Sequence, residues 1–148
     1  MNRLTRTFFF LTVILTVFAC GVDHKNGKTA NNTNTNSLNM DKDVLYVYYF
    51  HKSIRCKTCI AVGEQSHSNL VVLYPEKVKN SEIVFKSFNI EDEANQELKK
   101  RYEIWGQTLL FIKGGKVINK TNEAFMYVTT DPEKWMNTIQ ETVDSLLI

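Results

Sequence analysis

No hydrophobic run in this chain is long enough to cross a membrane as a helix. The longest apolar stretch, Phe8 to Ala19, covers 12 residues, against the roughly 20 needed to span a hydrocarbon core of about 30 Å. No excess of one charge is present either. The chain has 18 Lys+Arg and 16 Asp+Glu, and without Arg3 and Arg6 the formal charge is zero. A basic nucleic-acid surface is therefore not indicated. No Ser-His-Asp series, no pair of catalytic carboxylates, no glycine-rich phosphate loop and no internal repeat stands out. "KGGK", Lys113 to Lys116, is short and reads as a hairpin turn, because adjacent glycines supply positive φ at little cost. Cysteine is scarce and odd in number, with three in the whole chain. An odd count in an exported protein needs an explanation.

The N-terminus points to export. Arg3 and Arg6 form a positive segment ahead of the Phe8–Ala19 stretch, the arrangement of a secretory signal. The stretch ends "VFACG", Val17 to Gly21, which resembles a bacterial lipobox with Phe18 as an unusual residue. That resemblance implies cleavage after residues 1–19 and lipidation of Cys20, so that the protein is exported and lipid-anchored in the cell envelope. An ordinary signal peptide with an unrelated cysteine is the plainer alternative. If Cys20 carries lipid, Cys56 and Cys59 form one self-contained pair. Residues 20–42 are rich in Asn and Thr and poor in large apolar side chains. Such a segment buries too little surface to offset chain entropy and reads as a flexible tether. Residues 43–148 are then one folded domain, large enough for a single core.

Within that domain "VLYVYYF", Val44 to Phe50, is apolar without a break, which suits a strand buried on both faces. A helix is expected from Cys56 to Tyr74, stopped by Pro75, with Cys59, Ile60, Gly63, His67, Leu70, Val71 and Tyr74 on one side. A second strand covers Glu82 to Ile90. A helix from Glu91 to Ile104 follows, acidic at its start and basic at its end, with Ala94, Leu98 and Tyr102 as its apolar stripe. Thr108 to Ile112 and Lys116 to Thr121 form a hairpin. The last helix opens at "TTDPEKW", capped by Thr130 with Glu133 or by Asp131 with Pro132 in first place. Trp135, Ile139, Val143, Leu146 and Leu147 give it an apolar face. The order β-α-β-α-β-β-α implies an α/β fold. A parallel βαβ unit joined to an antiparallel pair gives a four-stranded mixed sheet flanked by helices.

The chemistry concentrates in "YYFHKSIRCKTC", where Cys56 and Cys59 stand at the junction of the first strand and first helix. Residues i and i+3 in a first turn are neighbours on one face. At a helix N-terminus the unpaired N–H groups and the macrodipole favour an anion, and Arg55, Lys57 and His51 are candidate tuning groups. Cys56 is thus expected to ionise below the free value of about 8.5, and a thiolate is the nucleophile of disulfide exchange. Two other readings compete. One takes the pair as an inert structural bridge on a binding module, the other as two soft ligands for copper or zinc with His51 as the third. His67 lies eight residues past Cys59, about 12 Å along a helix, too far to share an ion. His24 sits in the tether.

The element order around this pair, with "EDEANQELKKRYEIWGQTLLFIKGGK" downstream, resembles thioredoxin over residues 43–148. The resemblance implies a thioredoxin-like fold and thiol–disulfide exchange with a protein partner. Cys56 would be the nucleophile and Cys59 the resolving thiol, with no bound cofactor. An integral-membrane thiol carrier is a fitting source of electrons, and the domain is expected to act as a monomer. Trp105, Gln107 and Thr108 would border the partner groove. Four positions depart from the family pattern. Arg55 replaces Trp, Lys57-Thr58 replaces Gly-Pro, and Gln107 stands where the family has a cis-proline that aligns substrate backbone and discourages metal binding. A cis bond before Gln107 would cost about 2.5–4 kcal/mol, so a trans bond is expected.

Overall fold

The computed structural model describes residues 40–148. The signal segment, Cys20 and most of the tether lie outside the described residues. Strand β1 (Leu45–His51) leads into helix α1 (Lys57–Leu73) and the short α2 (Pro75–Lys79). Strand β2 (Ile83–Asn89), a 3-10 turn (Glu93–Asn95) and α3 (Gln96–Arg101) follow. The hairpin is β3 (Thr108–Lys113) and β4 (Lys116–Asn119), after which come α4 (Thr121–Tyr127) and α5 (Pro132–Leu147). The sheet order is β2-β1-β3-β4. β1 runs parallel to β2 and antiparallel to β3, and β3 runs antiparallel to β4.

β1 is central, which explains its unbroken apolar sequence. Side chains alternate across a strand. Leu45, Val47 and Tyr49 face one core with Leu109 and Phe111 of β3, closed by Val62 and Leu70 of α1 and by Trp135, Ile139 and Val143 of α5. Tyr48 and Phe50 face a second cluster with Leu110, Ile112, Ile90, Leu98 and Ile104. The chain joins the domain before residue 43. Met40 packs on the second cluster and its sulfur accepts the Tyr102 hydroxyl at 3.2 Å. Gly114 and Gly115 take φ of 57° and 86°, the turn conformation expected of "KGGK".

Several elements differ from expectation. The helix foreseen over Glu91 to Ile104 shrinks to α3, because side chains before it capture the local backbone. Glu91 N–H donates to Asn89 Oδ1, Asn95 Nδ2 donates to the Asn89 carbonyl and Gln96 Nε2 to the Ile90 carbonyl. Ala94 consequently lies exposed in the 3-10 turn, while Leu98 is buried. α3 ends in paired backbone bonds, Ile104 N–H to Lys99 O and Glu103 N–H to Lys100 O, with Glu103 at φ 52°. α1 presents Cys59, Val62, Ser66, Asn69 and Leu70 to the core. Ile60 and Val71, expected inside, are 37% and 43% exposed, and His67 is exposed while its ring stacks on Phe85. β4 stops at Asn119, whose side chain accepts the Thr121 N–H, so Thr121 opens α4 instead of closing the strand. Pro75 ends α1 and also opens α2. Of the two caps considered for α5, Asp131 is the one used, accepting from Lys134 N–H at 3.0 Å with Pro132 next to it. The Thr130 hydroxyl turns back to the Met126 carbonyl.

Candidate functional site: a cysteine pair at the start of α1

Cys56 is the N-cap of the 17-residue helix α1 and Cys59 lies in its first turn. The two form a disulfide, with Cα atoms 5.0 Å apart. Cys56 Sγ takes the part a capping oxygen would play, accepting the Cys59 N–H at 3.2 Å. The two sulfur-bearing residues are unequal. Cys56 is exposed, whereas Cys59 is 4% exposed. Solvent reaches the first and scarcely touches the second.

The loop from β1 to Cys56 is held from below. Ser53 N–H donates to Glu91 Oε2 at 3.0 Å, and Asn89 Nδ2 donates to Ser53 Oγ at 2.9 Å. The Ser53 contacts hold the Glu91 carboxyl below the usual carboxylate range. Arg55 and Lys57 flank Cys56 in the open. His51 packs against its own loop, with Nδ1 2.9 Å from the Lys52 carbonyl and its ring tilted on Tyr49. Among the described residues no group of three His, Cys, Asp or Glu side chains is placed to hold a metal ion.

The expected groove residues divide. Gln107 comes to the pair through Tyr49. The Tyr49 hydroxyl donates to the Cys59 carbonyl at 2.7 Å and lies 3.3 Å from Gln107 Oε1. No cis peptide occurs among the described residues, so the bond before Gln107 is trans as expected. Thr108 pairs with Phe50 across the sheet and turns its hydroxyl to the Gly106 carbonyl. Trp105 is 88% exposed and shares a cleft with Lys99, Lys100 and Ile104.

The sequence places Gly63 on the apolar side of α1 but gives neither it nor Tyr49 a part in the site. Tyr49 is completely buried, and burial pushes its phenol up to about 12, opposed by the charge of Arg55. A Cβ on Gly63 would stand 3.0 Å from Tyr49 Cδ1, so the missing side chain lets α1 settle on the tyrosine ring. A signal did exist. A tyrosine inside a strand buried on both faces must find a partner for its hydroxyl.

Strand order and the place of the pair decide the architecture. The fold is thioredoxin-like. No family model and no curated protein matches the chain. Solved structures to which it is similar include thioredoxin from Fasciola hepatica, 22% identical over 57% of this chain and 81% of that one, with a TM-score of 0.40. The germline-specific thioredoxin Deadhead from Drosophila melanogaster is 19% identical over 67% of this chain and 81% of its own, also at 0.40. A malarial protein is 14% identical over 56% and 93%, with a TM-score of 0.37. The thioredoxin-like assignment rests on the mixed sheet β2-β1-β3-β4 and on a disulfide at the β1–α1 junction.

Proposed function

We propose that this thioredoxin-like domain exchanges disulfides with a protein partner in the cell envelope. The observation that carries the reading is the inequality of the pair: an exposed Cys56 at a helix N-cap beside a buried Cys59. On reduction the Cys59 N–H and the dipole of α1 favour the thiolate at Cys56. The Cys56 thiolate attacks one sulfur of the partner disulfide, forming a mixed disulfide and expelling the other partner sulfur as a thiolate. Cys59, deprotonated, then attacks Cys56 Sγ. The Cys56–Cys59 bond forms, the bond to the partner breaks, and the second partner sulfur leaves as a thiolate that takes up a proton. The partner gains two electrons and the dithiol loses two; the reverse sequence oxidises a partner dithiol. No bound cofactor enters these steps.

Lipidation at Cys20 would hold the domain at a membrane surface, where an integral-membrane thiol carrier could restore the dithiol. In cells, Cys59→Ser should accumulate Cys56-linked adducts with envelope proteins, because the resolving thiol is gone. Absence of such adducts, together with full function of a Cys56→Ser/Cys59→Ser double variant, would leave the bridge a structural one. The anchor is tested separately by the mass of the mature N-terminus, which should show acyl chains on Cys20.

A further inference from the structure

The hydroxyl of Tyr49 has one proton and two apparent acceptors, the Cys59 carbonyl at 2.7 Å and Gln107 Oε1 at 3.3 Å. One phenol proton cannot serve both. The amide oxygen and nitrogen of glutamine exchange places by a half-turn of the amide group. With Nε2 facing the tyrosine, Gln107 donates to the Tyr49 oxygen and Tyr49 donates to the Cys59 carbonyl, so both contacts join a donor to an acceptor. A buried polar group left unpaired is costly, which selects that orientation. We infer that Gln107 and Tyr49 form a directed hydrogen-bond relay that positions the resolving cysteine, so that Cys59 stays fixed while Cys56 is joined to a partner.

The relay lies under the one part of the site that must not move. Cys59 has to attack Cys56 Sγ from a defined direction, and a small misplacement is expensive in a displacement reaction. The ring of Tyr49 is itself held, wedged beneath α1 at Gly63 and completely buried. Its phenol, raised to about 12 by burial, keeps its proton across the neutral range and remains a donor to the carbonyl. Gln107 thereby acts on the resolving thiol with a side chain, from the position just before β3.

This inference rests on the proposed exchange chemistry, and one experiment separates the two. Full-length chain carrying Cys20→Ser is reduced and mixed with the chromogenic disulfide DTNB in stopped flow. Attack by Cys56 releases one thionitrobenzoate; resolution by Cys59 releases the second. Tyr49→Phe and Gln107→Leu should leave the first phase in place and slow the second by about 3- to 10-fold, the factor one hydrogen bond supplies. The double variant should be no slower than either alone. Tyr48→Phe, which removes a buried hydroxyl with no partner on the opposite face, should leave both phases unchanged. If the second phase is unchanged in folded Tyr49→Phe and in Gln107→Leu, the relay is wrong while exchange stands. Equal slowing of both phases, or equal slowing by Tyr48→Phe, also overturns it. If the parent chain reacts no faster than a free thiol, the exchange reading itself fails. Should Tyr49→Phe not fold, Gln107→Leu alone decides.

Discussion

Tyr48 and Tyr49 are neighbours in one strand, both completely buried, and they face opposite sides of the sheet. Burial pushes both phenols up to about 12. Only Tyr49 has work for its hydroxyl. It reaches the first turn of α1 and the residue just before β3. The Tyr48 hydroxyl has no partner among the described residues, and its ring sits among Phe88, Phe50, Tyr46 and Tyr102 as one member of an aromatic cluster. One face of the sheet thus carries the pair and the long helices, and the other supplies aromatic packing. The buried hydroxyl of Tyr49 serves the site; that of Tyr48 is a cost that packing outweighs.

Substitutions can break this contrast, and the largest effect is expected where α5 seals the first core. Trp135→Ala should lower unfolding free energy by about 3–5 kcal/mol, measured by chemical denaturation. Leu98→Ala on the second face should stay near the lower end of the usual range, about 2 kcal/mol, because Leu98 is 8% exposed and borders solvent. Gly63→Ala tests the wedge. Alanine favours a helix interior over glycine by about 1 kcal/mol, but its Cβ would crowd a tyrosine ring that cannot retreat, at 3.0 Å. Overpacking costs about 1–3 kcal/mol, so a net loss is expected in thermal melts, where an unfixed ring would give a gain. Tyr49→Phe should cost about 1 kcal/mol, the net worth of one hydrogen bond, whereas Tyr48→Phe should be neutral or stabilising.

The smallest effect is electrostatic. Glu91 is lowered by its hydrogen bonds to Ser53, Glu82 by Lys77 and Glu123 by Lys120. A carboxyl depressed in the folded state contributes stability above its unfolded value that is lost as pH falls through the folded one. These contributions are therefore complete at neutral pH and fade in the acid range below ordinary carboxylate values. Loss of the Glu91–Ser53 contact should loosen the loop before Cys56. Protection of the Ser53 amide, taken relative to its intrinsic exchange rate at each pH, should fall over that acid range in the parent and be already lowered at neutral pH in Glu91→Gln.

Much of this arrangement was readable in advance. An unbroken β1, the crossover, the hairpin at "KGGK" and a cysteine pair at a helix start follow from apolarity, turn chemistry and spacing. What was hidden depends on contacts between distant residues. Nothing local tells that Tyr49 rather than Tyr48 meets Gln107, because both sit in the same apolar run. The buried side of α1 was misread because periodicity favours Ile60 and Val71 over Ser66 and Asn69. The approach of Gly63 to the sheet, which decides the matter, is a tertiary fact. α4 escaped because "TNEAFMY" is short and continues from a strand without a break in composition.

The central claim is that the two cysteines are chemically unequal, with Cys56 the attacking thiolate. Its most direct test is the pH dependence of iodoacetamide alkylation at each cysteine in the reduced full-length chain, followed by peptide mass spectrometry. Cys56 should react much faster than Cys59, with a midpoint below the free-thiol value of about 8.5. Equal rates at the two cysteines, or a Cys56 midpoint at or above that value, would contradict it.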